Sequence, residues 1–284
     1  MTARLFDIDH EARALMDDAA IKARDVGARG RAPALVLVMV GADAATRTYV
    51  ARKEADCARA GIAMRIVSLP PGTTQDTLLA AVRAACTDTA VDGVMVQLPL
   101  PAHLHAEAVI AAITPEKDVD GLTPRNTLAL TSRAPAIVPC TVRAIAWLLA
   151  RAEIATAGAR MAIVGRGRLV GRPASLLFSG FVANAEVTLL HRGTRDLGGA
   201  LRRADIVIAA AGSAGLIMAS DLKPGSAVLD IGMSWPNGVL AGDVAPDAAD
   251  VAGWITPPGA SFGPMTRAML LQNLLDCAQA RSGS

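Results

Sequence analysis

Aromatic residues are scarce in this 284-residue chain: three tryptophans, four phenylalanines and one tyrosine make up 3% of it. That scarcity excludes a stacking platform for single-stranded nucleic acid, which needs aromatic faces along a groove. The formal net charge is only +2 and the arginines are scattered, so there is no basic stripe to hold a polyanion. Nucleic acid is not an expected partner. Cysteine is sparse too. Cys57, Cys86, Cys140 and Cys277 stand far apart, with no CxxC and no histidine at ligand spacing, so reduced, packed thiols are predicted in place of a zinc site or a disulfide framework. His103 and His105 alternate in a proline-flanked turn, where a metal would lack further ligands, and no metal is expected. No uninterrupted apolar run approaches a membrane-spanning length, and Met1 to Glu11 lacks the apolar stretch of a signal peptide. A cytoplasmic chain without a membrane partner is the expectation.

Lysine is scarce: only four lysines stand among the twenty-eight lysines and arginines. One of them, Lys53, follows the only tyrosine, Tyr49, by four residues. On a helix that spacing puts both side chains on one face, where a phenol and an amine can share a pocket. Arginine cannot take over where a proton must move, because guanidinium stays charged while a partly buried amine can be tuned toward neutrality. Tyr49 and Lys53 are therefore candidate catalytic residues.

What the chain has in abundance is aliphatic residues in strand-length runs separated by helical segments. The runs are Ala34 to Val40, Ala63 to Leu69, Val91 to Leu98, Arg160 to Val164, Glu186 to Leu190, Asp205 to Ala210 and Ser226 to Ile231. This alternation predicts an α/β fold of βαβ units around largely parallel sheets. The pattern pauses at Pro135 to Thr141 and resumes with a helix over Val142 to Arg151, which marks a domain boundary. A closing helix is predicted over Thr266 to Ala280, apolar at helical spacing through Met269, Leu270, Asn273, Leu274 and Cys277.

In the second half, the strand ending Met161-Ala-Ile-Val164 runs into Gly165-Arg-Gly-Arg-Leu-Val-Gly171 and a helix opening near Pro173. Glycines at 165 and 167 let backbone approach a pyrophosphate, whose charge the amides and dipole of the next helix favour. Gly171 comes one residue later than in the usual GxGxxG spacing. The following strand ends in His191-Arg192, not in the acid that would bind a ribose 2′-hydroxyl. A cation there suits a 2′-phosphate, so NADP is the preferred cofactor, with Arg166 as a further contact; a solvated turn is the alternative for Arg192. After the next strand, the small residues Ala210-Ala-Gly212 would admit a nicotinamide ribose.

In the first half, the strand Asp92-Gly-Val-Met-Val-Gln97 ends at Leu-Pro-Leu-Pro101, placing Gln97 at its carboxyl end, where open α/β sheets bind ligands. A glutamine there must find partners, and the Lys53 amine is one. Pro115-Glu-Lys-Asp-Val-Asp-Gly121 adds two carboxylates. Asp118 reads as a turn-capping residue and Asp120 as a binder of a donor-rich heterocycle.

Taken in order, Tyr49-Val-Ala-Arg-Lys53, Gly61-Ile62, DGVMVQLPLP, PEKDVDGL, Pro139-Cys-Thr141, VGRGRLVGRP, ADIVIAAAG, Gly242-Asp-Val244 and Gly263-Pro-Met-Thr266 resemble the bifunctional methylenetetrahydrofolate dehydrogenase/cyclohydrolase family. The resemblance runs from about residue 34 to 276. It implies a folate-binding catalytic domain of residues 1–138 with 266–284, a Rossmann NADP-binding domain of residues 139–265, a folate cleft between them and a homodimer through the Rossmann domains. It implies oxidation of 5,10-methylenetetrahydrofolate by NADP⁺ and hydrolysis of the product to 10-formyltetrahydrofolate. Lys53 matches the lysine that assists proton movement, Tyr49 the residue packing over the folate, Gln97 the partner tuning the lysine, Asp120 the pterin-binding carboxylate and Pro264 a substrate contact. The chain departs from the resemblance at Pro258-Gly-Ala-Ser-Phe262, where the family carries paired glycines and valine. Phe262 is bulkier than valine, and losing the paired glycines is expected to narrow the backbone options of a loop near folate and nicotinamide. The readings left beside this one are a dehydrogenase that lacks or weakens the hydrolysis or takes an altered substrate, and a nucleotide-binding regulatory protein without turnover.

Overall fold

The computed structural model describes residues 3–28, 30–134 and 137–282. Pro135 and Ala136, where the expected inter-domain loop begins, lie outside the described residues. The described residues fall into two compact units: one within 1–11, 129–135 and 141–266, the other within 12–128, 136–140 and 267–284.

In chain order the elements begin with β1 (Arg4–Leu5), α1 (Ile8–Gly27), β2 (Ala34–Val40), α2 (Ala44–Arg59), β3 (Ala63–Leu69), α3 (Gln75–Thr87), β4 (Gly93–Val96), α4 (Ala106–Ala111) and α5 (Pro124–Ala129). They continue with α6 (Cys140–Arg151), β5 (Arg160–Val164), α7 (Gly171–Ser179), β6 (Glu186–Leu190), α8 (Leu197–Leu201), β7 (Ile206–Ala209) and β8 (Ala227–Asp230). The short β9 (Met233–Ser234), β10 (Ala241–Gly242) and β11 (Trp254–Ile255) precede the closing α9 (Gly263–Ser282).

In the unit containing α2, a three-stranded parallel sheet has the order β3-β2-β4. Its central strand β2 and the edge strand β4, both valine-rich, are buried along their length, whereas β3 is partly exposed. Val36, Val38, Val94 and Val96 pack with Leu78 and Val82 of α3. The helices start where short polar side chains satisfy free amides: Asp43 accepts from the Thr46 amide at 2.7 Å at the head of α2, and Thr74 accepts from Thr77 at the head of α3. Gly93 opens β4 because nothing larger fits. A Cβ there would lie 2.3 Å from Val119 Cγ1 and 2.5 Å from Leu274 Cδ1.

The other unit carries a six-stranded, wholly parallel sheet of order β1-β11-β8-β7-β5-β6. Its core gathers Ala162, Val164, Val207, Val228, Leu201 and Ile255. The chain adds β6 on one side of β5 and then returns to add β7 on the other. That reversal makes the carboxyl ends of β5 and β7 a ligand crevice of the doubly wound kind. At the start of the chain Arg4–Leu5 pairs with Trp254–Ile255, and residues before Ala12 pack with this unit. Among the described residues no helix is long and apolar enough to cross a membrane.

Candidate active site

The sheet order β3-β2-β4 also reverses, at β2, so the carboxyl ends of β2 and β4 form a second crevice. A cavity of about 210 Å³ opens there among Met39, Gly41, Asp43, Thr46, Gln97 and Pro101. Gln97 is the first residue past β4. Its amide nitrogen donates to the Leu98 carbonyl at 2.7 Å, which turns its oxygen outward to accept from Lys53 Nζ at 3.0 Å.

Lys53 reaches that oxygen from α2, with its side chain buried and its amine also 3.8 Å from Met95 Sδ. One helical turn earlier, Tyr49 lays its ring under the amine, Nζ standing 4.8 Å from the ring centroid. The expected pairing on one face of a helix is thus present. Burial pushes the Lys53 amine below the usual lysine range. The negative charge of Asp120 and the thiols Cys140 and Cys57 oppose this, and the Arg267 cation adds to it. Burial also pushes the Tyr49 phenol up, against the Arg267 cation. So the site holds an amine biased toward its neutral form beside a phenol held protonated.

Asp120 hangs from the loop after the helical turn Pro115–Lys117. Burial raises its carboxyl to about 6; Lys53 and a contact from Cys140 act the other way. Asp118 is engaged elsewhere: fully buried, it accepts from the Thr123 amide at 2.7 Å and from Asn126 Nδ2 at 3.0 Å. The carboxylates two apart in sequence therefore do different work, the first tying the loop and the second left near the lysine. Gly121 ends the loop with φ of +70°, and a Cβ there would lie 2.8 Å from the Pro139 nitrogen.

Three features escaped the sequence reading. Cys140, at the start of α6, directs its thiol to the Val119 carbonyl at 3.3 Å and lies 3.8 Å from Asp120 Oδ1. Asn273 of α9, read as part of an apolar stripe, is fully buried. It donates to the carbonyls of Val119 at 2.8 Å and Val138 at 2.9 Å, which fixes the segments on either side of Asp120. A polar residue among apolar positions was the available signal. Arg267, also on α9, pairs with Asp56 of α2 at 2.6 Å, and nothing in the local pattern announced it. Cys57 and Cys277 are packed thiols that burial pushes up to about 12.

In the other unit, the turn after β5 meets the geometric demands of a dinucleotide. Gly165 has φ of +109°, and a Cβ on it would lie 2.1 Å from the Ala210 carbonyl oxygen beyond β7. Gly171 passes so close to Gly165 that a Cβ would sit 1.9 Å from its carbonyl oxygen. By contrast Gly167 faces open space, and α7 begins without a side-chain cap on its amides. A phosphate can reach backbone there, so these residues fit the group. His191 lies in a tight turn at the end of β6, its Nδ1 accepting from the Gly193 amide at 3.0 Å, while Arg192 and Arg166 are exposed. Gly212 is exposed beyond β7 with φ of +66°, and its amide donates to buried Asp243 at 3.1 Å. Asp243 also accepts from Ser213, and its own amide donates to Asp230, so a buried carboxylate network holds this loop. Pro264 stands in the first turn of α9, grouped with this unit. Phe262 is buried, only 2% exposed.

Residues 7–120 match the model of the tetrahydrofolate dehydrogenase/cyclohydrolase catalytic domain, and residues 139–282 match that family's NAD(P)-binding domain. The bifunctional protein FolD of Acidiphilium cryptum is 45% identical over 283 residues, 99% of this chain and 100% of that one. Among solved structures, the methylenetetrahydrofolate dehydrogenase-cyclohydrolase of Trypanosoma brucei, complexed with NADP cofactor and inhibitor, superposes with a TM-score of 0.94 at 34% identity, with both chains covered in full. The bifunctional enzyme of Campylobacter jejuni gives 0.92 at 33% identity, covering 98% of this chain and 99% of its own. The two α/β units, the lysine-bearing crevice of one and the glycine turn of the other therefore belong to a member of the tetrahydrofolate dehydrogenase/cyclohydrolase family.

Proposed function

We propose that this chain oxidises 5,10-methylenetetrahydrofolate with NADP⁺ and hydrolyses the resulting methenyl cation to 10-formyltetrahydrofolate. The observation that carries the reading is the buried Lys53 amine, held by Gln97 over the ring of the only tyrosine, at the crevice of a chain from this family. The unit around α2 is the folate-binding catalytic domain and the unit around β5 the nucleotide-binding domain. A cytoplasmic homodimer, joined through the nucleotide-binding units, belongs to the same reading and is tested by light scattering on the purified chain.

NADP⁺, when bound, supplies the hydride acceptor. The chain's part in that reaction is positioning: Tyr49 packs over the folate, Asp120 accepts from the donor edge of the pterin, and Pro264 bounds the substrate. Gly165, Gly167, Gly171 and Gly212 admit phosphate and ribose close to backbone. Arg192, with His191 and Arg166, supplies positive charge for the 2′-phosphate.

In the hydrolysis, a water oxygen bonds to the methenyl carbon and the bond from that carbon to N5 opens. Of the two water protons one ends on N5 and one is released. Neutral Lys53 Nζ takes the proton from the attacking water, and Gln97 keeps the amine aimed by accepting one of its N–H bonds. Burial of the amine favours the neutral form that this step uses.

The direct test is absorbance on mixing the purified chain with 5,10-methylenetetrahydrofolate and NADP⁺, in parallel with NAD⁺, followed by identification of the folate product. Reduced cofactor with 10-formyltetrahydrofolate is the expected result. Accumulating methenyl product restricts the chain to the dehydrogenase, and no reduction with either cofactor overturns the reading.

A further inference from the structure

We infer that the Arg267–Asp56 ion pair is a positioning element of the active site, holding the Tyr49 ring and biasing the charge of the Lys53 amine. The inference rests on the proposed hydrolysis. Tyr49, Lys53 and Asp56 are spaced four and three apart along α2, so they line one face. Arg267, in the first half of α9, docks on that face: its Nε lies 2.6 Å from Asp56 Oδ2, and its guanidinium carbon is 5.9 Å from the centroid of the Tyr49 ring. One phenol ring therefore carries two cations, Lys53 and Arg267, within cation–π reach.

The pair is poorly explained as a mere brace between helices. Its side chains are only 13% and 19% exposed, and burying two charges gains little over packing apolar residues of the same volume. What a charged pair supplies here and an apolar one cannot is a field at the amine. Every other group facing Lys53 is neutral or favours its charged form: Gln97 and Met95 from the end of β4, Asp120 from its loop, Cys140 from α6, Cys57 from α2 and the Tyr49 phenol. Among the described residues Arg267 is the one cation set against them. Asp56 limits how strongly that cation acts.

The signs follow. Removing Arg267 takes away repulsion and exposes the Asp56 carboxylate, so the Lys53 amine holds its proton to higher pH. Neutralising Asp56 leaves Arg267 unscreened, and the amine gives up its proton at lower pH. Hydrolysis that needs neutral Lys53 has an acid limb that follows these shifts.

The experiment is the pH profile of catalysed methenyltetrahydrofolate hydrolysis, corrected for the uncatalysed rate, in the full chain and in Arg267→Met, Arg267→Lys and Asp56→Asn. The expected result is a displacement of the acid limb upward by roughly one pH unit in Arg267→Met and downward in Asp56→Asn, with Arg267→Lys restoring the original limb. At pH 7 the rate of Arg267→Met should fall about 3- to 10-fold. Asp56→Asn and Arg267→Lys preserve side-chain volume and carry the comparison if Arg267→Met does not fold. An acid limb unmoved in Asp56→Asn, and in Arg267→Met where that variant folds, overturns the inference while leaving the activity intact. A parent chain that does not hydrolyse the methenyl folate overturns the functional reading, and this inference with it.

Discussion

At the scale of single residues, the site sets a neutral-leaning amine against a carboxyl that resists ionisation, and each makes a separate prediction. Replacing Lys53 by alanine should lower methenyl hydrolysis by about 10²- to 10⁴-fold, the usual loss when a positioned acid–base group is removed, while leaving the chain folded and able to bind NADP⁺. Undiminished hydrolysis above background in that variant would remove Lys53 from the mechanism. Asp120 makes a prediction about stability. Its carboxyl titrates near 6 in the folded chain against an ordinary value near 3.8, so folding takes up a proton between those values. The group's stabilising contribution is complete below about pH 4 and is lost as pH rises through 6. Asp120→Asn should therefore be more stable than the parent at pH 8, by on the order of 1 kcal/mol after allowance for the residue's partial exposure, and should bind folate more weakly. Urea unfolding at pH 4 and pH 8 checks the sign: a variant less stable than the parent at pH 8 contradicts it. Tyr49, Lys53 and Gln97 came together as the sequence suggested because each stands at a position with a local rule, a helical turn or a strand end. Arg267 and Asp56 were not legible in it, since 211 residues separate them and no spacing rule reaches that far.

At the scale of elements, all seven predicted strands end where the apolar runs end or within two residues of it at each side, because the strands of a parallel sheet are largely aliphatic runs. The remaining short strands had no such signature. Arg4–Leu5 and Trp254–Ile255 are two-residue strands defined by their partners, and a pairing so short leaves no periodicity to read. Glycines show the same division. The sequence placed Gly165, Gly167 and Gly171 together in one phosphate turn, but the structure separates their roles. Gly165→Ala puts a Cβ against the Ala210 carbonyl at a backbone angle that disfavours side chains, and should destabilise the chain by about 1–3 kcal/mol. Gly167→Ala meets nothing, so its stability should stay within about 0.5 kcal/mol of the parent while NADP⁺ affinity falls. Calorimetry with and without NADP⁺ separates the two variants, and equal losses of stability would show that both glycines are needed for the turn itself.

At the scale of the whole molecule, the two parallel sheets each reverse their strand order, and so each has its own crevice. The nucleotide crevice gathers segments far apart in sequence: residues 165–171 after β5, 191–192 after β6 and 210–212 after β7 meet because β5 lies between β6 and β7. A ligand that spans all three ties the sheet's carboxyl edge together and stabilises the folded chain by mass action, about 2.7 kcal/mol at a hundredfold excess over Kd. The charges at this edge then decide which dinucleotide does so. Arg192 is exposed at the end of β6, where a phosphate can reach it. Arg192→Ala should cut the stabilisation by NADP⁺ by about 1.4 kcal/mol, a tenfold loss of affinity, and leave that by NAD⁺ nearly unchanged. Thermal unfolding of the parent and the variant across a titration of each cofactor provides the measurement. Equal losses for both cofactors would mean that Arg192 serves the turn and not the 2′-phosphate, and the preference for NADP would then have to rest on Arg166 and His191.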